Sequence, residues 1–145
     1  MQYTLHTTFP EALKTDWNAL LDESVSHVPF LRYEYLLNWW QTRGGGEWPE
    51  ESRLAIVTAS ENGRLLGIAP LFCAEHAGRP ALLLLGSIEV SDYLDLIVRP
   101  DDLAAFLGGL LPFLAEALPG WQALDLYNLL DSSPSLAALQ AAASA

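Results

Sequence analysis

Three polar residues, Asp92, Tyr93 and Asp95, form the best cluster of side chains that could do chemistry in this sequence. Carboxylates and phenols can exchange protons with a reacting amine or hydroxyl, so all three are weak candidates for a catalytic acid or base. They surround a predicted strand start, where Asp92 and Asp95 need not face each other. In one interpretation they line a substrate groove at the ends of the central strands. In the other, Asp92 caps a turn and Asp95 pairs with an arginine.

Three aromatic residues, Phe30, Trp39 and Trp40, form a second candidate group for binding a substrate. Flat rings could provide a platform for a sugar or an apolar chain. The alternative is that they pack in the core and in a lid over it. Helical spacing puts Trp40 on the apolar stripe of its helix and Trp39 off that stripe, which predicts a partly exposed Trp39.

The remaining reactive residue types form no recognisable motif. His6, His27 and His76 are scattered, and none has the spacing to a second ligand that a metal site requires. We therefore expect no metal site. Ser87 and Ser91 lie near the acidic cluster, but the sequence places no histidine as their base, so a hydrolase triad is unsupported.

Composition excludes several classes of protein. The 145 residues include 18 acidic and 7 basic side chains, which gives a net charge of −11. Nucleic-acid binding and anionic membranes require clustered cations, so neither partner is expected. No apolar run is long enough for a membrane span, and the N-terminus has no signal-peptide pattern. The lone Cys73 allows no internal disulfide and fits a reducing compartment, so a cytoplasmic location is expected.

The elements that must position these residues are organised around a hairpin at Arg53–Cys73. Asn62-Gly63 is a strong signal for a two-residue hairpin turn, since both residues tolerate positive φ. The return strand, residues 65–73, is apolar on both faces and should be central in the sheet. Gly67 predicts a close approach or a bulge. Pro70 lacks an N–H group, so we expect the strand pairing to be interrupted there.

Periodicity and turn residues predict the rest of the chain. The expected elements are an opening strand within 1–9, helices at about 10–24 and 31–43, strands at 81–85, 93–98 and 122–127, a helix opened by Asp101 and Asp102, and an Ala-rich terminal helix. Gly108, Gly109 and Pro112 should kink or split the helix that contains them. This order predicts an α/β (α+β) fold, with a mixed, largely antiparallel central sheet and helices on both faces. We expect a single domain, residues 1–145, whose sheet is incomplete at the C-terminus.

The order and several short motifs resemble the GNAT fold of N-acetyltransferases. More narrowly, residues 17–127 look like the N-terminal half of the acetyltransferase-like family associated with cellulose biosynthesis, which is related to the tandem-domain Fem-type aminoacyltransferases. The resemblance rests on the hairpin Glu61–Leu71, which ends in Gly67-Ile-Ala-Pro-Leu71, on Pro29-Phe30 before Trp39-Trp40, and on Gly86 followed by Ser91-Asp-Tyr-Leu-Asp-Leu96. It implies that the chain is the N-terminal half of a longer protein.

The resemblance also identifies where acetyl-CoA would bind. Proteins of this fold hold the pyrophosphate on backbone amides where the fourth strand meets the third helix. The equivalent residues here are Arg99, Pro100, Asp101 and Asp102. Pro100 removes a donor and the two carboxylates repel phosphate, although Arg99 offsets part of that repulsion. We therefore expect no cofactor for this fragment, whereas the full-length protein would use acetyl-CoA or another acyl-CoA.

Three functions remain open at the level of the sequence. The first is a non-catalytic or substrate-binding N-terminal half of an acyl-CoA-dependent N-acyltransferase, packed against a C-terminal catalytic domain. The second is a self-sufficient small N-acetyltransferase that uses Asp92, Tyr93 or Asp95. The third is a structural domain without catalysis, which forms a homodimer with a second copy of itself.

Overall fold

The computed structural model describes residues 1–87, 93–129 and 132–144. Within these ranges the chain forms one β-sheet and four α-helices, with three short 3-10 turns at Glu11–Leu13, Pro29–Leu31 and Pro100–Asp102. In chain order the elements are β1 (Gln2–His6), α1 (Lys14–Asp22), α2 (Tyr33–Gly46), β2 (Arg53–Glu61), β3 (Arg64–His76), β4 (Arg79–Leu84), β5 (Ile97–Val98), α3 (Leu103–Ala117), β6 (Ala123–Asp125) and α4 (Ser135–Ser144).

The sheet is mixed and mostly antiparallel, as the sequence predicts. Its order is β1-β2-β3-β4-β6, with β5 paired to β3, and the β4–β6 pair is parallel. Helices cover both faces. Trp39 of α2 packs on Phe72 of β3, whereas Phe106 of α3 packs on Gly67 of the same strand. Positions 67 and 72 are an odd number of residues apart, so their side chains point to opposite faces.

The β2–β3 hairpin turns at Asn62 and Gly63, whose φ angles of 53° and 77° confirm the predicted turn. The ladder shifts register between Ala59, which pairs with Gly67, and Ser60, which pairs with Leu65. Leu66 is therefore the extra residue of a β-bulge. The predicted bulge at Gly67 is confirmed, and the close neighbour of Gly67 is the Phe106 side chain rather than a second backbone.

Pro70 interrupts the pairing of β3 on one edge only. Toward β2 the ladder is continuous through residues 69–71, so the expected break is absent there. On the opposite edge, β4 pairs with residues 71–76 and β5 with residues 67–68. The Pro70 carbonyl accepts a hydrogen bond from Leu85 N (2.8 Å) on this edge. The nitrogen and carbonyl of one strand residue point to the same edge, so the Pro70 nitrogen, which cannot donate, also faces it.

β4 and β5 therefore act as two halves of one fourth strand that runs along β3. Their facing ends, Leu84 and Ile97, pair with Leu71 and Ile68, which are only three positions apart. Residues 85–87 follow β4 and residues 93–96 precede β5, and both stretches lie outside the strands of the sheet. The sequence predicts a strand over 93–98, but only Ile97–Val98 is strand.

α2 ends in a tight turn that explains an incorrect prediction. Arg43, Gly44 and Gly45 have φ angles of 53°, 71° and 75°, which are not helical values for α2. A Cβ atom on Gly44 would lie only 3.0 Å from Trp39 Nε1, so this turn covers the indole. Trp39 is consequently 5% exposed, and the prediction of a partly exposed Trp39 is wrong.

α3 is one uninterrupted helix, so Gly108, Gly109 and Pro112 do not split it, and the alternative that they kink it stays a prediction. Tyr3 of β1 crosses this helix at Gly109. Its hydroxyl donates to Phe106 O at 2.7 Å, and its ring stacks on Phe113 at 5.6 Å between centroids. A Cβ atom on Gly109 would lie 2.3 Å from the Tyr3 hydroxyl oxygen. Gly109 therefore permits a close approach of strand to helix.

The two neighbouring glycines predict opposite effects of the same substitution. Gly108→Ala is expected to stabilise the fold by about 0.5–1 kcal/mol, since a Cβ there meets nothing within 4 Å and alanine favours helix. Gly109→Ala is expected to destabilise it by about 1–2 kcal/mol, because Tyr3 must move. Urea unfolding of both variants measures the difference. Equal stabilisation by both substitutions would contradict the close packing of Tyr3.

Candidate functional site

Asp95 is a buried carboxylate held by serines. It is 0% exposed. Its Oδ2 accepts hydrogen bonds from Ser26 Oγ at 2.7 Å and Ser133 Oγ at 2.5 Å, and its Oδ1 accepts from Ser135 Oγ at 2.5 Å and Leu96 N at 2.8 Å. The predicted pairing with an arginine is wrong for the described part of the chain, where four neutral donors satisfy the carboxylate instead.

The serines that bind Asp95 come from distant segments. Ser26 follows α1, Ser133 precedes α4, and Ser135 begins α4. The carboxylate therefore ties both segments to the chain that enters β5. Hydrogen bonds to a charged acceptor are about twice as strong as neutral ones, so this cluster holds Asp95 firmly beside Ser26 and the start of α4, just before the chain enters β5.

The other members of the acidic group are not brought to Asp95 within the described residues. Tyr93 is 47% exposed, so the chain passes from surface to core in two residues. Asp92 lies outside the described ranges. The roles of Asp92, Tyr93 and Asp95 as acid, base or substrate ligand stay predictions.

One cavity is an open groove of about 800 Å³, here called the sheet-end groove. Arg53 and Leu54 are consecutive residues of β2, so their side chains point to opposite faces of the sheet. Because both residues line the groove, the groove reaches both faces. β1 pairs with β2 only as far as Ile56, and the groove runs past the first residues of β2 that β1 leaves uncovered. The lining residues are Leu5, Thr7, Trp40, Arg43, Glu51, Ser52, Arg53, Leu54, Cys73, Ala74, Glu75, Pro80, Ala81 and 117–121.

Of the three predicted aromatic binding residues, only Trp40 lines this groove. Its ring packs 5.9 Å from Phe72, and the Arg43 guanidinium stacks 3.5 Å above it. Trp39 is buried beneath the end of α2. Phe30 packs edge-on against Tyr35 with 5.4 Å between ring centroids, and it lines neither cavity described here.

Arg43 and Ser52 both line the groove, and these two residues are here called the Arg43–Ser52 corner. The Arg43 guanidinium donates to the carbonyls of Trp40 and Glu50. No hydrogen-bond partner among the described residues is present for Arg43 Nε or for the hydroxyl of Ser52. This corner therefore offers unused donors beside an aromatic ring.

Cys73 also lines the groove, but its environment does not activate it. Burial raises the pKa of the thiol, and nearby Arg53 lowers that pKa by a smaller amount. A raised pKa reduces the thiolate fraction near neutral pH, and the thiolate is the nucleophile. Cys73 thus acts as part of the groove wall.

A smaller cleft of about 330 Å³ lies where the predicted acetyl-CoA loop begins. Arg64 and Arg99 line it, together with Asp16 and the Asn62-Gly63 turn. Arg99 Nε donates to Glu23 Oε2 at 2.7 Å, and this contact lowers the pKa of the Glu23 carboxyl. Arg99 Nη1 is buried without a partner among the described residues.

The acidic residues of this loop do not line the cleft. Asp101 is exposed and Asp102 is half-buried, and neither is among the lining residues. Pro100 is the first residue of the 3-10 turn that leads into α3. Proline suits this position, because an N–H group there would have no partner within the turn. The effect of Arg99, Pro100, Asp101 and Asp102 on cofactor binding stays a prediction.

A histidine–tyrosine pair was missed by the sequence analysis. His76 Nε2 and the Tyr127 hydroxyl are 2.7 Å apart, and the two rings meet edge-on. Trp48 packs on His76 from the other side with 5.6 Å between centroids. No sequence signal joins positions 76 and 127, because the end of β3 meets the chain after β6 only in the folded sheet.

Residues 1–87, 93–129 and 132–144 also bear on metal binding and membrane insertion. No group of three or more His, Cys, Asp or Glu side chains in these ranges is placed to hold a metal ion. None of the helices there combines the length and the apolar character needed to cross a membrane.

No protein-family model and no curated protein matches this sequence. Among solved structures, the chain is similar to a crystal structure of an acetyltransferase from Trypanosoma brucei, with 22% sequence identity and a TM-score of 0.48. The match covers 92% of this chain and 84% of that one.

Proposed function

We propose that this chain is the substrate-binding, non-catalytic half of an acyl-CoA-dependent N-acyltransferase, and that the sheet-end groove holds the acyl acceptor. The observation that carries the proposal is the groove itself. Its volume of about 800 Å³ lies within the usual range for small-molecule sites, roughly 300–1,000 Å³. Catalysis would come from a C-terminal domain.

The surroundings of Asp95 favour a non-catalytic role for this chain. Its carboxylate is enclosed and accepts four hydrogen bonds from the protein. A general base must come within hydrogen-bond reach of the substrate proton that it removes. Asp95 lines neither the groove nor the smaller cleft, so it is placed to hold segments together rather than to act on a bound acceptor.

Calorimetry with acetyl-CoA and with a panel of primary amines tests this proposal. We expect no acetyl-CoA binding up to about 1 mM, a Kd limit that corresponds to about −4 kcal/mol. Amines with an apolar body, such as tryptamine and hexylamine, should bind and quench tryptophan fluorescence, and Trp121→Ala should weaken them. Micromolar binding of acetyl-CoA would overturn the non-catalytic assignment.

A self-sufficient small N-acetyltransferase is the second candidate, and the Arg64–Arg99 cleft favours it. A helix N-terminus beside free guanidinium donors is suited to a phosphate group, and α3 begins four residues after Arg99. In this case acetyl-CoA binds in the micromolar range, Arg99→Gln abolishes that binding, and Arg53→Gln, which makes the same charge change in the groove, leaves it intact. Acetylation of any amine in the panel would support this candidate.

A further inference from the structure

The Arg43–Ser52 corner of the sheet-end groove holds donors that the described protein does not use. Ser52 is only 7% exposed, lines the groove, and has a hydroxyl without a hydrogen-bond partner among the described residues. Arg43 also lines the groove, and its Nε likewise has no partner among the described residues. Buried polar atoms in folded proteins nearly always have a partner, so unpaired polar atoms on two lining residues indicate a missing ligand.

The charge of Arg43 also lacks a counter-ion within the described chain. Its contacts are two backbone carbonyls and the face of Trp40, and no ion pair to a carboxylate is present in the described residues. Glu51 and Glu75 also line the groove, but both are exposed. A guanidinium with neutral partners at the wall of a cavity is suited to a carboxylate, which it can bind with two parallel hydrogen bonds.

The rest of the groove is suited to an apolar group. Leu5, Leu54, Leu118 and Trp121 line it, and the ring of Trp40 lies beside the corner. A ligand that occupies the whole groove must therefore combine an anionic end with an apolar body.

We propose that the sheet-end groove binds a carboxylate-bearing amphiphile, with its carboxylate on Arg43 and Ser52 and its apolar body against Leu54 and Trp121. The inference rests on the proposed function, because it names the class of ligand that the acceptor groove takes. An acceptor of this kind carries a free carboxylate at a distance from the group that is acylated.

A matched pair of probes tests the inference on the intact chain. The probes are 4-phenylbutyrate and 4-phenylbutanamide, which share their shape and differ in charge. Titration calorimetry at low salt should show at least about tenfold tighter binding of the carboxylate, as expected for a charge-assisted hydrogen bond in place of a neutral one. The preference should shrink in about 0.5 M NaCl, where exposed charges are screened.

Two substitutions locate the binding corner. Arg43→Gln and Ser52→Ala should each reduce the preference for the carboxylate at least about threefold. Arg64→Gln is the matched control, since it makes the same charge change beside the smaller cleft, and it should leave the preference unchanged. Arg43→Gln also removes the contact with Trp40, so Ser52→Ala, which preserves that contact, keeps the inference falsifiable if the first variant unfolds.

Two results would overturn the inference. Equal affinity for the carboxylate and the amide would leave a ligand-binding groove, and with it the proposed function, but would remove the anionic preference. Failure of both probes to bind would refute the inference, while the amine and acetyl-CoA titrations would still decide the proposed function independently.

Discussion

Asp95→Ala is expected to lower the free energy of unfolding by about 3–5 kcal/mol, the largest effect of any single substitution considered in this chain. The substitution leaves three serine hydroxyls and the Leu96 amide without their acceptor in a fully buried position. A lost hydrogen bond to a charged group costs about 1.5–3 kcal/mol, and stranded donors add to that cost. Since typical domains are stable by only about 5–15 kcal/mol, the variant should approach the limit of folding.

Urea unfolding followed by tryptophan fluorescence measures this loss. Asp95→Asn should cost less than the alanine variant, because the serine hydroxyls can rotate and Oδ1 is retained. Asp101→Ala provides the matched control, since Asp101 is exposed and its loss should cost less than about 1 kcal/mol. A cost below 1 kcal/mol for Asp95→Ala would show that the serine cluster does not hold the fold together.

Gly67→Ala is expected to destabilise the protein by about 2–3 kcal/mol. A Cβ atom at this position would lie 2.6 Å from Cδ1 and 2.8 Å from Cε1 of Phe106. Phe106 is 0% exposed, so its ring cannot swing into solvent, and overpacking of a core typically costs about 1–3 kcal/mol. A loss of stability would be informative, because alanine in place of glycine within a regular strand ordinarily stabilises the strand.

A double-mutant cycle with Phe106→Leu isolates this contact. Leucine in place of the ring should leave room for the new methyl group, so the double variant should be more stable than the sum of the two single effects predicts. The coupling energy should exceed about 1 kcal/mol. Additive effects, or a neutral Gly67→Ala variant, would mean that the strand and α3 are not in the close contact described here.

The sequence predicts the hairpin and the order of elements because their signals are local. Asn62-Gly63 sets the turn, and Asp101 and Asp102 lie in the 3-10 turn directly before α3, close to the predicted helix start. The interruption beside Pro70 is also local in origin. Its placement on one edge, however, depends on where β4 and β5 lie, which no short segment can specify.

The candidate site is less predictable, because its parts meet only after folding. Asp95 was recognised from its residue type, but its partners Ser26, Ser133 and Ser135 are remote in sequence. A polar residue in a segment that alternates polar and apolar side chains predicts a strand. In the structure, Asp95 instead binds these serines and lies outside the strand, which begins at Ile97.

The sheet-end groove was missed for the same reason. Trp121, Ser52 and Arg43 come from separate segments. The sequence predicts only that the helix ends near Arg43, before three consecutive glycines. The packing of the first of these glycines, Gly44, over Trp39 was not predicted, because helical periodicity places Trp39 away from the core.

The turn at the end of α2 has a consequence for chirality. From Arg43 to Gly46 every φ angle is positive, so the backbone briefly takes the mirror-image sense of the helix that precedes it. Achiral glycine accepts that sense freely, whereas an L-residue such as Arg43 resists it by roughly 1–2 kcal/mol. The guanidinium contacts with Trp40 and Glu50 must offset this cost. The handedness of the turn and the cation at the groove are therefore properties of one residue, and a change at position 43 alters both together.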